Sequence, residues 1–301
     1  MDHRVEFDFE IAFSNGGSLS GTGFRLDIPG DDVSDAWIAD ALVRDLRLLM
    51  VGDVRISNRR VFAEAHKRGV SAAPNCASGT AAARRLVDLS HPIVEGMTTY
   101  PGLPAPSIRP HLRREDSEGK YAPGVTFAID VIEPCGNTGT YIDSPFHRHA
   151  HGADLAGLPL ERLHDLPGVR VDVTGSTSLG IGARELLPYD VRGRAVLVHT
   201  GFASNWGTDA YLRDNPFLAP DAVEHLVREG TALVGIDSLN IDSTADPTRP
   251  AHSELLRAGI PIVEHLTGLE QLPVDGFLFS AIPAPVVGTG TFPVRALASI
   301  P

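Results

Sequence analysis

Apolar and acidic residues alternate along Val5-Glu6-Phe7-Asp8-Phe9-Glu10-Ile11, the period-two pattern of a strand with one buried face. Asn15-Gly16-Gly17 marks a turn, and Phe24-Arg25-Leu26-Asp27-Ile28 alternates again before Pro29-Gly30 breaks the run. Ser34 is placed to cap a helix reaching about Leu49. Ile38, Leu42, Leu46 and Leu49 recur there at helical spacing and supply one apolar face. Residues 54–56 predict a short strand, and residues 61–67 a second helix ending at Gly69. Residues 1–70 therefore read as a small α+β module. Residues 71–83 are small and polar and predict a linker. Cys76 lies in it with nothing nearby to lower its thiol pKa.

From residue 84 the texture changes. Leu86-Val87-Asp88-Leu89 opens an apolar strand, and residues 195–198, 232–236 and 261–263 predict further short, buried strands. A helix is predicted over Pro220–Glu229, with proline at the first helical position and Gly230 just past the end. A second covers 253–257, followed by Gly259. Strands alternating with helices argue for α/β layers. Residues 101–123, rich in proline and charge, read as a long surface loop or flap.

The chain has 301 residues, 43% of them hydrophobic, enough for a sizeable core. Lys plus Arg number 26 against 38 Asp plus Glu, giving a formal charge of −12 with no basic block. Nucleic acid and anionic membranes are therefore poor partners. The apolar runs are too short to cross a bilayer, and the first residues predict no secretory leader. Two widely separated cysteines, Cys76 and Cys135, make no disulfide framework and no CxxC site, which predicts a cytoplasmic protein.

Chemistry concentrates in Asn137-Thr138-Gly139-Thr140-Tyr141-Ile142-Asp143-Ser144-Pro145-Phe146-His147, followed at once by His149 and His151. If extended, this segment places Asn137, Tyr141, Asp143 and His147 on one face. Pro145 would interrupt a central strand, so the tail reads as a loop leaving a strand end, where α/β proteins keep their sites. The competing reading is a solvated, histidine-rich loop. His252 opens the helical stretch AHSELL, and Glu264 follows the apolar run Pro261-Ile262-Val263. A carboxylate there needs a partner, since burying it alone is costly. Residues 235–242, GIDSLNID, read as a strand running into turn-forming acids. Cys135 reads as a small buried residue, and Phe146, Trp206 and Phe292 as core packing.

Residues from about 86 to 300 resemble the cyclase/kynurenine formamidase family of amidohydrolases. Its signature is HxGTHxDxPxH. Against it stands NTGTYIDSPFH, matching at Gly139, Thr140, Asp143, Pro145 and His147. VDLSHPI with Tyr100-Pro101-Gly102, then HTGFASNWG, GIDSLNID and AHSELLRAGIPIVEHLTGL follow in the family's order. The resemblance implies an α/β, swivelling β/β/α cyclase-type fold over residues 84–301, usually a homodimer or higher homo-oligomer, acting on a small molecule. In metal-dependent relatives the first two signature histidines bind one divalent ion. The aspartate bridges to a second ion, a late His and Glu complete that site, and the last signature His is the acid/base.

Here the first two positions are Asn137 and Tyr141, both poor ligands for zinc. The resemblance thus implies one divalent ion, Zn2+ or Mn2+, at Asp143, His252 and Glu264, with a metal-free site as the alternative. It assigns catalysis to His147, Tyr141, Asp143 and Glu264, with His147 shuttling the proton and Tyr141 donating to an oxyanion. Asn137 and Thr140 would bind substrate. The implied reaction is hydrolysis of a carbon–nitrogen bond in a formamide or cyclic amide. The alternatives are a metal-free lyase or cyclase and a non-catalytic binding protein. All of this requires Asp143, His147, His252 and Glu264 to converge.

Overall fold

Val5, Phe7, Phe9 and Ile11 are buried on one face of β1 (Asp2–Phe13), as their alternation predicts. This computed structural model describes residues 2–14, 16–28, 30–46, 48, 51–64 and 84–301; the expected linker, Cys76 and Leu49 lie outside them. The chain forms two compact units, residues 1–77 and 78–301. In the first, β1 is the central strand of an antiparallel sheet, between β2 (Ser18–Ile28) and β3 (Val51–Glu64). Helix α1 (Asp35–Asp45) adds Ile38 and Leu42 to the cluster around Phe7. The Ser34 hydroxyl accepts from the Trp37 amide at 3.2 Å, the expected cap.

Two expectations for this unit are corrected. The helix ends at Asp45 instead of about Leu49, and Leu46 is 39% exposed, so the third position of the apolar stripe lies outside the buried cluster. Residues 61–64 are not helical: they continue β3, with Val61 opposite Val5 and Phe62 opposite Arg4. The predicted three-residue strand at 54–56 belongs to the same 14-residue element. Pairing with β1 engages the backbone groups on one side of this edge strand and overrides local helical spacing. Residues 65–67 and Gly69 lie outside the described residues.

The second unit runs β4 (Arg85–Asp88), β5 (Ser107–Leu112), β6 (Ile129–Glu133), β7 (Tyr141–Asp143), β8 (Leu166–Asp172), β9 (Gly180–Ile181), α2 (Ala183–Leu186), β10 (Ala195–His199), β11 (Phe217–Leu218), α3 (Pro220–Glu229), β12 (Leu233–Ile236), α4 (Pro250–Arg257), β13 (Ile262–Glu264), β14 (Leu278–Ser280), β15 (Thr291–Pro293) and β16 (Leu297–Ile300). Nine strands make one mixed sheet in the order β15-β7-β13-β12-β10-β8-β14-β16-β4. Its centre, β13 to β8, is parallel, and antiparallel strands flank it on both sides. This is the α/β layering expected.

Successive residues of β10 feed opposite cores: Ala195 and Leu197 one, Val196 and Val198 the other. Burial on both faces explains why such strands read as continuous apolar runs. Val223 and Leu226 of α3, with Leu255 and Leu256 of α4, pack on the second face. Helix α3 spans the predicted residues, and Gly230 closes it at φ 72°. Helix α4 begins at Pro250, three residues earlier than expected. The predicted loop at 101–123 contains β5, which pairs with β6 in a two-stranded ribbon. Pro110 is tolerated there because such a ribbon leaves one side of each strand unpaired.

Candidate active site

Strand β7 is only three residues long, yet it organises the site. It lies between β13 and β15, antiparallel to both. The register sets Tyr141 opposite Glu264 and Asp143 opposite Thr291. Directly opposed side chains on one face touch, and these do. The Tyr141 hydroxyl donates to Glu264 Oε2 at 2.5 Å, and the Thr291 hydroxyl donates to Asp143 Oδ1. Ile142 points the other way into the first core. Thr291 Oγ1 also lies 2.7 Å from His147 Nδ1, so one hydroxyl ties the acid to the histidine. His147 sits at the end of a 3-10 turn, Pro145–His147, that leaves β7. Gly290 makes this approach possible, because a side chain there would overlap the His147 backbone.

His252 arrives from α4. Asp242, in the loop after β12, accepts from the Ala251 amide at 2.7 Å and the His252 amide at 3.1 Å, capping the helix. The same carboxylate lies 2.7 Å from His252 Nδ1. That contact fixes the ring and turns Nε2 towards Asp143 Oδ2 at 3.6 Å and Glu264 Oε1 at 3.8 Å. Glu264 Oε1 also accepts from the Ile241 amide at 2.5 Å.

Three buried carboxylates around one imidazole set the charge states. Burial pushes the Glu264 carboxyl up to about 7, with the Asp143 charge adding, against the pull of His252, Tyr141 and the Ile241 amide. Burial also disfavours a charged His252. The Glu264 charge, the nearby Asp143 carboxylate and the Asp242 contact outweigh it and hold the ring at about 10. For Asp143 burial is likewise outweighed, by His252, His147 and Thr291, and its pKa is lowered. Burial and the charges of Glu264 and Asp143 keep the Tyr141 phenol protonated.

Tyr141, His147, His252, Glu264 and Asn137 line one cleft of about 270 Å³, with Tyr100, Leu103, Arg148, Asn240 and Arg249. Asn137 lies beside the Tyr141 hydroxyl. Thr140 is not among the lining residues: its hydroxyl is buried, accepting from the His91 amide and donating to the His265 carbonyl. His149 is turned away to the Ser253 carbonyl. Trp206 stacks on His91, and Phe292 packs against the first core. Sequence reasoning missed Asp242 and Thr291. Asp242 stood in the noticed GIDSLNID stretch, where it read as a turn residue, and nothing near Thr291 signals its role.

Ligand atoms of Asp143, His147 and His252 lie within 4.8 Å of one another, a candidate metal site. Asp143 Oδ2 is buried without a hydrogen-bond partner among the described residues. An orphaned carboxylate oxygen beside imidazole nitrogens suits a borderline divalent ion. These donors fit one such ion. They do not fit a second at Asn137 and Tyr141, since the phenol proton is committed to Glu264.

A family model, Cyclase, described as "Putative cyclase", matches residues 87–243, slightly more than half of the chain. The chain is 29% identical to kynurenine formamidase of Geobacillus thermodenitrificans, over 70% of this chain and 95% of that protein. It is 27% identical to kynurenine formamidase of Bacillus cytotoxicus with the same coverage. Among solved structures, a "potential metal-dependent hydrolase with cyclase activity" superposes at TM-score 0.60 with 29% identity, covering 73% of this chain and 99% of that one. An isatin hydrolase bound to a product analogue superposes at 0.63 with 21% identity, over 72% and 93%, a likeness of fold. The sheet and its helices are thus the cyclase-type fold anticipated, and the chain belongs to the cyclase family of amidohydrolase enzymes as a kynurenine formamidase-like member.

Proposed function

We propose that this enzyme hydrolyses the carbon–nitrogen bond of a formamide or cyclic amide. The observation that carries the reading is the convergence of His147, His252 and Glu264 on one small cleft with Asp143 buried against both histidines, although two of the four come from more than a hundred residues away. The kynurenine formamidase relatives support the bond type. Asp143 and His252 would hold one divalent ion, Zn2+ or Mn2+, with Glu264 as the third donor the resemblance implies, although His147 and not Glu264 completes the cluster within 4.8 Å; when bound the ion would polarise a carbonyl and lower the pKa of water. His147 faces the opening with its side chain 35% exposed. Anchored by Thr291, it takes the proton from water and returns it to the leaving nitrogen. Asn137 and the Tyr141 hydroxyl meet the substrate carbonyl, where the phenol proton now shared with Glu264 is drawn towards the developing oxyanion.

Purified protein assayed with N-formylkynurenine and isatin in 18O-labelled water tests this reading. Turnover with one labelled oxygen in the acid product is expected, together with about one zinc or manganese per chain and loss of activity on chelation. Product free of label would favour the lyase or cyclase reading, and tight binding without turnover the binding-protein reading. Activity unaffected by chelator in metal-free protein would remove the ion. Among the described residues no helix is long and apolar enough to cross a membrane. A homo-oligomer in the cytoplasm accompanies this proposal, and a single-chain mass in light scattering would remove the oligomer.

A further inference from the structure

Several arginines of the second unit find an acid. Arg109, Arg170, Arg192, Arg194, Arg257 and Arg295 each have a carboxylate within 3.2 Å. The two that line the cleft hydrogen-bond to neutral groups instead. Arg148 donates to the Ser253 hydroxyl at 3.1 Å and the Thr248 carbonyl at 3.2 Å. Arg249 donates to Asn240 Oδ1 at 3.1 Å and the Ser243 carbonyl at 3.4 Å. Those partners are neutral, and they hold both side chains on one rim, since Thr248 directly precedes Arg249. Asp246 shares that loop and its charge interacts with Arg249, but its Oδ1 takes the Thr248 amide and hydroxyl, and among the described residues no ion pair joins it to either arginine. In a chain of formal charge −12, two guanidiniums on one rim of one cleft, hydrogen-bonded to neutral groups, make a local cationic face.

The backbone adds an independent observation. Arg249 sits at φ 50°, ψ 62°, the left-handed region, immediately before α4. A non-glycine residue there costs about 1–2 kcal/mol, yet this position carries a long cation that reaches Asn240, itself a cleft residue. Meanwhile the acids of the site are engaged elsewhere: Glu264 with Tyr141 and the Ile241 amide, Asp143 Oδ1 with Thr291, Asp242 with His252 and the helix.

We infer that the substrate carries a net negative charge: its amide lies at the His147 end of the cleft, and a carboxylate or equivalent oxyanion is held between Arg148 and Arg249. This rests on the amide-hydrolase reading for the amide, but the anion seat can be tested without turnover. The class is an N-acylated or cyclic amide of an acid without a balancing ammonium. Charge-assisted bonds from guanidinium to carboxylate are strong enough to dominate selection between otherwise similar ligands.

The experiment has two arms. Calorimetry compares benzoate with benzamide, which differ in charge and little in shape. Wild-type protein is expected to favour benzoate by about tenfold or more, and Arg148→Ala and Arg249→Gly each to erode that preference. Glycine relieves the left-handed strain at 249, so this variant is expected to fold at least as well. Arg257→Ala, on an arginine already paired with Glu254, should keep the preference. In the kinetic arm, 2-formamidobenzoate is compared with formanilide. The anionic-over-neutral ratio of kcat/KM should fall about tenfold in each cleft variant, chiefly through KM. Equal binding of benzoate and benzamide, a preference that survives the double variant, or its loss in Arg257→Ala would overturn the inference. Charge-selective binding without turnover of either amide would sink the hydrolase reading and leave the anion seat standing. Turnover without charge selection would do the reverse.

Discussion

Replacing His147 with asparagine is expected to lower kcat by about 10²–10⁴-fold, the usual contribution of a positioned acid/base. The substitution isolates proton transfer. The side chain is 35% exposed, so little packing is lost. Asparagine can still meet the Thr291 hydroxyl, which now lies 2.7 Å from the imidazole. It cannot accept and return a proton near neutral pH. Because the anion seat is separate, KM should move far less than kcat. Initial rates across pH 5–9, with thermal unfolding recorded on the same samples, provide the check. Activity within threefold of wild type in a folded protein would take His147 out of the reaction.

Gly168→Val is expected to destabilise the second unit by about 3 kcal/mol, at the upper end for inserting methyl groups into a packed core. Gly168 lies in β8, and a side chain there would overlap the ring of Phe277, which is 2% exposed. The ring cannot swing aside, because it is packed among the residues of the first core. Phe277→Ala alone should cost about 3–5 kcal/mol through the cavity it leaves. The double variant should cost less than the two added together, since valine fills part of the space the ring vacates. Urea unfolding of the four proteins closes the cycle. Additive losses would mean the two positions do not compete for that space.

The buried core was the most legible part of the sequence. Continuous apolar runs became β10, β12 and β13, and the proline and glycine around α3 marked its ends. The catalytic signature also placed Tyr141 and Asp143 on one face of a strand, although extended structure stops at Asp143 and the histidine follows on a turn. What failed did so where tertiary pairing decides. Residues 61–64 show helical spacing and lie in a strand, because β1 runs beside them. Residues 107–112 look like loop and become β5, because β6 faces them. Thr291 could not be found by any local rule, as its function comes from register against β7. Asp242 looked like a turn former, which it is; that it also orients His252 depends on where α4 starts. Arg148 and Arg249 gave no signal, because what brings them together on one cleft is the folding of the loop before α4 against the turn after β7.

The bonds between Tyr141 and Glu264 and between Asp143 and Thr291 span 123 and 148 positions of chain. Closing loops of that length costs entropy before any contact repays it. A collapsed chain can therefore hold most of its native helices and still have no reactive centre. In this enzyme, competence is a property of the finished topology, acquired only when the short strand carrying the acid has slotted between two strands made much later in the sequence.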